Sequence, residues 1–165
     1  MEPEEQEPQV KAKMPLLDPF GPYSFVSPGI AVGGLSAYGE PLNQFGLLLN
    51  VAWELAPSES SELSDSVIGT NTVVHAKLDD NFEVEAQGPE ILRAVELVRH
   101  ARAQGKSVLV TCAMGRNRSA LVVAEHLIRS SGLDAARIIT QIQARRHKSL
   151  TNHAFVEWLK RNRRA

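Results

Sequence analysis

The chain has 165 residues and only one cysteine, Cys112, so it cannot close an internal disulfide. Nothing in such a fold calls for an oxidising compartment. No apolar run approaches the length of a membrane span. The acidic opening, MEPEEQEPQVKAK, lacks the apolar stretch of a signal peptide. No internal repeat is apparent, and no pair among His75, His100, His126, His147 and His153 has metal-ligand spacing. These absences argue against a disulfide scaffold, a membrane-spanning protein and a repeat array. They leave the expectation of a cytoplasmic or nuclear protein that needs no metal or other cofactor, here taken as a monomer.

What is present fits one globular domain: 43% hydrophobic and 22% charged residues, in a chain long enough to bury a substantial core. The net charge of −1 hides an asymmetry. Residues 1–66 hold ten acidic residues against Lys11 and Lys13, whereas from 134 onward eight Lys and Arg face only Asp134 and Glu157. A basic C-terminal third suits solvated helix faces, or phosphates on a substrate, a nucleic acid or a membrane surface. Residues 1–20 read as a disordered acidic tail, with three prolines before Leu16. The folded domain is expected over 21–165.

Within that domain, short apolar runs alternate with amphipathic stretches. Strands are expected at 30–32, 45–53, 71–78 and 107–111, and a polar Ser-rich loop at 56–70. Helices are expected over 88–105, with Pro89 at the start and Gly105 past the end, and over 119–132, stopped by Gly132. A third, capped by Asp134, runs to about Arg145, and a fourth, capped by Thr151 or Asn152, to about Arg161. This order predicts an α/β domain: a central, mostly parallel, twisted sheet flanked by helices. Ligands of such sheets sit beyond the carboxyl ends of the strands, and Cys112 follows the 107–111 strand directly.

The stretch VLVTCAMGRNRSALVV, residues 108–123, therefore carries the chemistry. A buried strand delivers the chain, Gly115 permits an unusual turn, and a helix starts on the far side. A loop curled this way aims successive backbone N–H groups inward, and the helix adds the positive end of its dipole. Arg118 can offer a fork to two phosphate oxygens. A thiol in the same field is favoured as a thiolate nucleophile.

Cys-x5-Arg-Ser between a strand and a helix resembles the phosphate-binding loop of the cysteine-based protein tyrosine phosphatases. Flanking segments narrow the resemblance to the atypical dual-specificity phosphatases: SPGIAVGG, FGLLLNVAWE, HAKLDD, and IITQIQARRHKSLTNHAFVEWL with its Arg146, Asn152 and Phe155. The resemblance covers about residues 22–162 and implies a protein-tyrosine-phosphatase-like fold. It implies Cys112 as nucleophile, with Arg118 and the loop residues Ala113, Met114, Gly115, Arg116 and Asn117 holding phosphate. Ser119 would donate to the departing thiolate; its structural alternative is a helix N-cap. The general acid would be an Asp about thirty residues before the cysteine, with Asp80 favoured over Asp79 by strand parity. Thr111 departs from the family, which usually has His there. The implied substrates are phosphotyrosine and phosphoserine or phosphothreonine proteins. The alternatives are phosphoinositides or RNA 5′-phosphates, since related RNA 5′-triphosphatases share Asn-Arg at positions 117 and 118, or a weakly active phosphate-binding scaffold.

Overall fold

Side chains alternate across a strand, so each short apolar run must be covered on both sides if every residue in it is buried. The computed structural model describes residues 21–56, 64–68 and 71–161. Its strands are β1 (Tyr23–Ser27), β2 (Ile30–Gly33), β3 (Leu47–Ala52), β4 (Ser64–Ile68), β5 (Asn71–Leu78) and β6 (Val108–Thr111). Its helices are α1 (Gly88–Ala103), α2 (Arg118–Ser131), α3 (Ala135–Arg145) and α4 (His153–Arg161). The strands form one sheet in the order β1-β2-β6-β3-β5-β4. The central four, β2, β6, β3 and β5, run parallel, and β1 and β4 close the edges antiparallel.

The parity of the apolar residues sorts the two faces. Ile30, Val32, Leu49, Val51, Val108 and Val110 join the large core made with all four helices. Their neighbours Ala31, Leu48 and Leu109 point the other way, onto Ala37, Leu42 and Phe45 from the segment between β2 and β3. The helical cover is thus one-sided, and a short 3₁₀ turn at Leu35–Gly39 with the loop after it closes the second face. Helix α2 is buried continuously from Arg118 to Ile128. It packs against α1, α3 and α4 as well as the sheet, so its first turn is held from every side.

Local signals end the helices where expected. Gly132 sits at φ 75° and its N–H donates to the Ile128 carbonyl at 3.0 Å, a left-handed stop that favours glycine. Asp134 accepts from the Arg137 N–H at 2.9 Å. Of the two candidate caps for α4, Asn152 serves: its Oδ1 accepts from the N–H groups of Ala154 and Phe155 at 2.9 and 3.3 Å. One expectation needs correction, and one strand was not anticipated. The stretch 56–70 is not loop throughout, because 64–68 pairs with β5. Residues 23–27 form an edge strand of their own. The expected tail, 1–20, lies outside the described residues. No helix among the described residues is long and apolar enough to cross a membrane.

Candidate active site

Strand β6 is apolar because it is covered on both faces and flanked by β2 and β3; Val108, Leu109 and Val110 are fully buried. It therefore delivers Cys112 at the middle of the sheet's carboxyl edge, where α2 begins six residues later. Gly115 is the pivot of the intervening loop. It sits at φ 69°, and a Cβ there would lie 2.5 Å from the backbone carbonyl carbon of Gly33. Both its conformation and its close approach to the end of β2 require glycine.

The loop's carbonyls are drawn outward. Ala113 O accepts from the Leu35 N–H at 3.0 Å, and Arg116 O from the Leu150 N–H at 2.8 Å. Gly115 O accepts from Arg146 Nε at 2.7 Å. The Arg146 side chain is buried beneath the loop and also donates to Ser24 Oγ at 3.0 Å. A peptide plane whose oxygen points out turns its N–H the other way, so the amides of Met114, Arg116 and Asn117 face the concavity. The concavity is a cavity of ≈ 80 Å³ lined by Asp80, Cys112, Met114, Arg116, Asn117 and Arg118. With about 30 Å³ to a water molecule, that is room for a tetrahedral oxyanion.

Arg118 starts α2 and is buried. Its Nη1 and Nη2 donate to Glu54 Oε1 and Oε2 at 2.6 and 2.8 Å, and Nη1 also donates to Leu78 O at 3.1 Å. Burial works against the charged guanidinium. The Glu54 hydrogen bonds and the fields of Cys112, Glu54 and Asp80 outweigh it, and the Arg118 pKa is raised above its usual value. The same hydrogen bond holds the Glu54 carboxyl below the usual carboxylate range. Arg118 Nε alone is left over: it is the one buried side-chain nitrogen or oxygen among the described residues without a partner. Cys112 Sγ lies 3.3 Å from Ser119 Oγ, and both side chains are buried.

The two aspartates part company. Asp80 lines the cavity, and its carboxylate accepts from Asn117 Nδ2 at 3.1 Å and Asn152 Nδ2 at 2.8 Å. Asp79 is instead tied by its backbone to Gln87, its N–H donating to Oε1 at 2.6 Å and its carbonyl accepting from Nε2 at 3.1 Å.

Residues 40–165 match the family model described as dual specificity phosphatase, catalytic domain. The chain belongs to that family. It is 26% identical over 140 residues to dual specificity protein phosphatase 1 of Arabidopsis thaliana, covering 82% of this chain. It spans 66% of that relative's own length. Among solved structures, human DUSP28 superposes with a TM-score of 0.69 at 20% identity, over 87% of this chain and 96% of that one. The human tyrosine phosphatase-like serine/threonine/tyrosine-interacting protein gives 0.66 at 19% identity, over 85% and 94%. These likenesses speak for the fold.

Within this dual specificity phosphatase domain, further side chains around the loop take up definite places. Ser119 does not cap α2, because the helix begins at Arg118 with Asn117 in the cap position; its hydroxyl faces Cys112. Thr111, where the family usually has His, is buried and shares a 2.7 Å hydrogen bond with Tyr38 OH. Burial pushes the Tyr38 phenol up to about 12, against the lowering effect of that bond, so the phenol stays neutral and the brace uncharged. Glu54 was missed outright. The signal available was an acidic residue just past an apolar strand, which acquires meaning only once β3 is known to lie beside β6. His75 is buried and lies 2.9 Å from the Asn50 side-chain amide, a packing role. His126 is held below its usual pKa by burial and by Arg102 and Arg99.

Proposed function

We propose that the chain is a cysteine-dependent phosphatase acting through a phosphocysteine on phosphotyrosine and phosphoserine or phosphothreonine proteins. The observation that carries this reading is the orphaned Arg118 Nε–H. A buried donor without a partner is costly, and its residue lines a cavity of oxyanion size that Cys112 also lines. A phosphate dianion supplies the missing acceptor.

In this mechanism the loop amides and Arg118 Nε hold the three equatorial oxygens and stabilise their charge in the transition state. The Cys112 thiolate attacks phosphorus in line, forming the S–P bond as the P–O bond to the leaving group breaks. Asp80 gives its proton to the departing oxygen. Two side-chain amides hold the Asp80 carboxyl at the cavity, which supports Asp80 over Asp79 as the general acid. In the second half, a water gives its proton to the Asp80 carboxylate and attacks phosphorus. The S–P bond breaks, inorganic phosphate leaves, and the Ser119 hydroxyl donates to the released thiolate. Glu54 fixes two of the arginine's nitrogens and so directs the third.

The test is hydrolysis of an aryl phosphate by wild type and by Cys112→Ser, without added metal. Wild type turns over and yields a phosphorylated Cys112 on rapid acid quench, and the variant does neither. Equal activity in the two would remove the cysteine mechanism.

A further inference from the structure

Strand β2 ends against the phosphate loop, and at its other end, where Ile30 begins it, lies an open groove of ≈ 400 Å³. The turn from β1 to β2 lines this groove with Pro28 and Ile30, the last turns of α1 with Arg99 and Arg102, and the second half of α2 with His126 and Leu127. It shares no lining residue with the cavity at Cys112. A smaller cavity of ≈ 90 Å³ has Val95 and Arg129 in its wall and shares Arg99, His126 and Ser130 with the groove.

His126 is 6% exposed, yet its imidazole hydrogen-bonds to no described residue. Its nitrogens are not sealed in as Arg118 Nε is, so they open onto the groove and the smaller cavity. Burial and the fields of Arg102 and Arg99 hold its pKa below the usual value. At neutral pH the ring is therefore uncharged and carries one N–H to donate. A polar ring taken out of bulk water without a partner costs stability.

The surrounding charge favours an anion as that partner. Arg102 lies over the β1–β2 turn, where a Cβ on Gly29 would stand 2.4 Å from its Nη1. That Nη1 donates to Lys106 O at 2.8 Å, and no carboxylate among the described residues pairs with Arg102. Arg99 and Arg129 pair with Glu96 and Glu125. Three guanidiniums thus meet two carboxylates, and the turn itself, Ser27–Ile30, brings no charge. His100 acts on Glu96, and the Lys106 stem lies against Gly46. The carbonyls that end α1 do not need these cations, because those of His100, Ala101 and Arg102 accept from the N–H groups of Gln104, Gly105 and Lys106.

We propose that the groove is a second anion site, which seats a small organic phosphate or sulfate ester with its oxyanion on Arg99, Arg102 and His126 and its organic body on Pro28, Ile30 and Leu127. A guanidinium fork matches two oxygens of a tetrahedral oxyanion, and the imidazole N–H gains its acceptor. The groove's ≈ 400 Å³ is well beyond the ≈ 80 Å³ that suits a bare oxyanion, and its apolar wall gives an organic body a place out of water. The site is separate from the cysteine chemistry and does not depend on it.

The experiment titrates the full chain with phenyl sulfate, which carries no phosphate to hydrolyse, and follows the His126 ring protons by NMR, assigned with His126→Gln. Phenyl sulfate is expected to shift these signals saturably and to raise the His126 pKa by about half a unit or more, because the bound anion offsets the fields of Arg99 and Arg102. Arg99→Gln and Arg102→Gln should each weaken binding about five- to tenfold. Inorganic sulfate should bind about threefold more weakly than phenyl sulfate, or worse, for want of the apolar contact. Arg99 is exposed, so its variant decides the matter should Arg102→Gln disturb the turn at Gly29. The absence of a saturable shift at His126 overturns the site. So do shifts that survive undiminished in both arginine variants, which would report phenyl sulfate bound elsewhere. Inorganic sulfate binding as tightly as phenyl sulfate overturns an organic ester as the ligand.

Discussion

Replacing Glu54 by Gln keeps the side chain's size and removes one charge from beneath Arg118. The arginine side chain is 8% exposed and the glutamate 40%. The pair therefore lies between a buried ion pair, whose disruption costs about 3–5 kcal/mol, and an exposed one worth about 0.2–1 kcal/mol. We expect a loss near 1–2 kcal/mol at neutral pH, discounted for the glutamate's solvent exposure. The pH dependence separates this from a packing defect. The folded-state pKa of Glu54 lies below its ordinary 4.5. Its stabilising contribution is therefore complete above that ordinary value and fades as pH falls through the depressed one. The stability gap between wild type and variant should be largest above about pH 5 and close towards zero in stronger acid, as read by urea denaturation across the range. Kinetically, Gln offers one accepting oxygen where Glu54 offers two, so the paired grip of Oε1 on Nη1 and Oε2 on Nη2 is broken and Nε loses its fixed direction. An aryl phosphate should show kcat/KM reduced about 10–100-fold. A gap that is absent or independent of pH, together with unchanged kcat/KM, would refute the positioning role of Glu54.

Asp80→Asn should slow hydrolysis of a phosphate ester with a poor alkoxide leaving group about 100-fold or more, and an activated aryl ester far less, since only the former needs a proton. Asp79→Asn should change neither by more than about twofold; the reverse order would transfer the acid to Asp79. Gly115→Ala places a Cβ 2.5 Å from the Gly33 carbonyl carbon at φ 69°. The left-handed conformation costs about 1–2 kcal/mol and the overlap about 1–3 more. A lower denaturation midpoint with loss of inorganic phosphate binding is expected, and a variant that keeps both would show that the loop's seat on β2 is not required.

The phosphate loop was legible because everything that builds it is contiguous. An apolar strand, a glycine, an arginine and a helix start follow one another within residues 108–123. The parallel core of the sheet was legible for a related reason: runs such as 47–52 and 108–111 are apolar on both faces only because both are covered. The helix stop at Gly132 and the helix start at Asp134 were equally local. The edge strands were not, because β4 sits in a serine-rich stretch and its pairing comes from β5 rather than from its own composition. Strand parity favoured Asp80, but what distinguishes it from Asp79 in the fold is Asn117 and Asn152, residues far along the chain. Glu54 meets Arg118, and Arg146 meets Gly115, only after β3 has docked on β6 and α3 on α2. The sequence by itself determined that a thiol, an anion cradle and an arginine share one loop, since backbone geometry and helix polarity are local. Tertiary structure decided which carboxylates face that loop, because that depends on strand order and on segments distant in sequence.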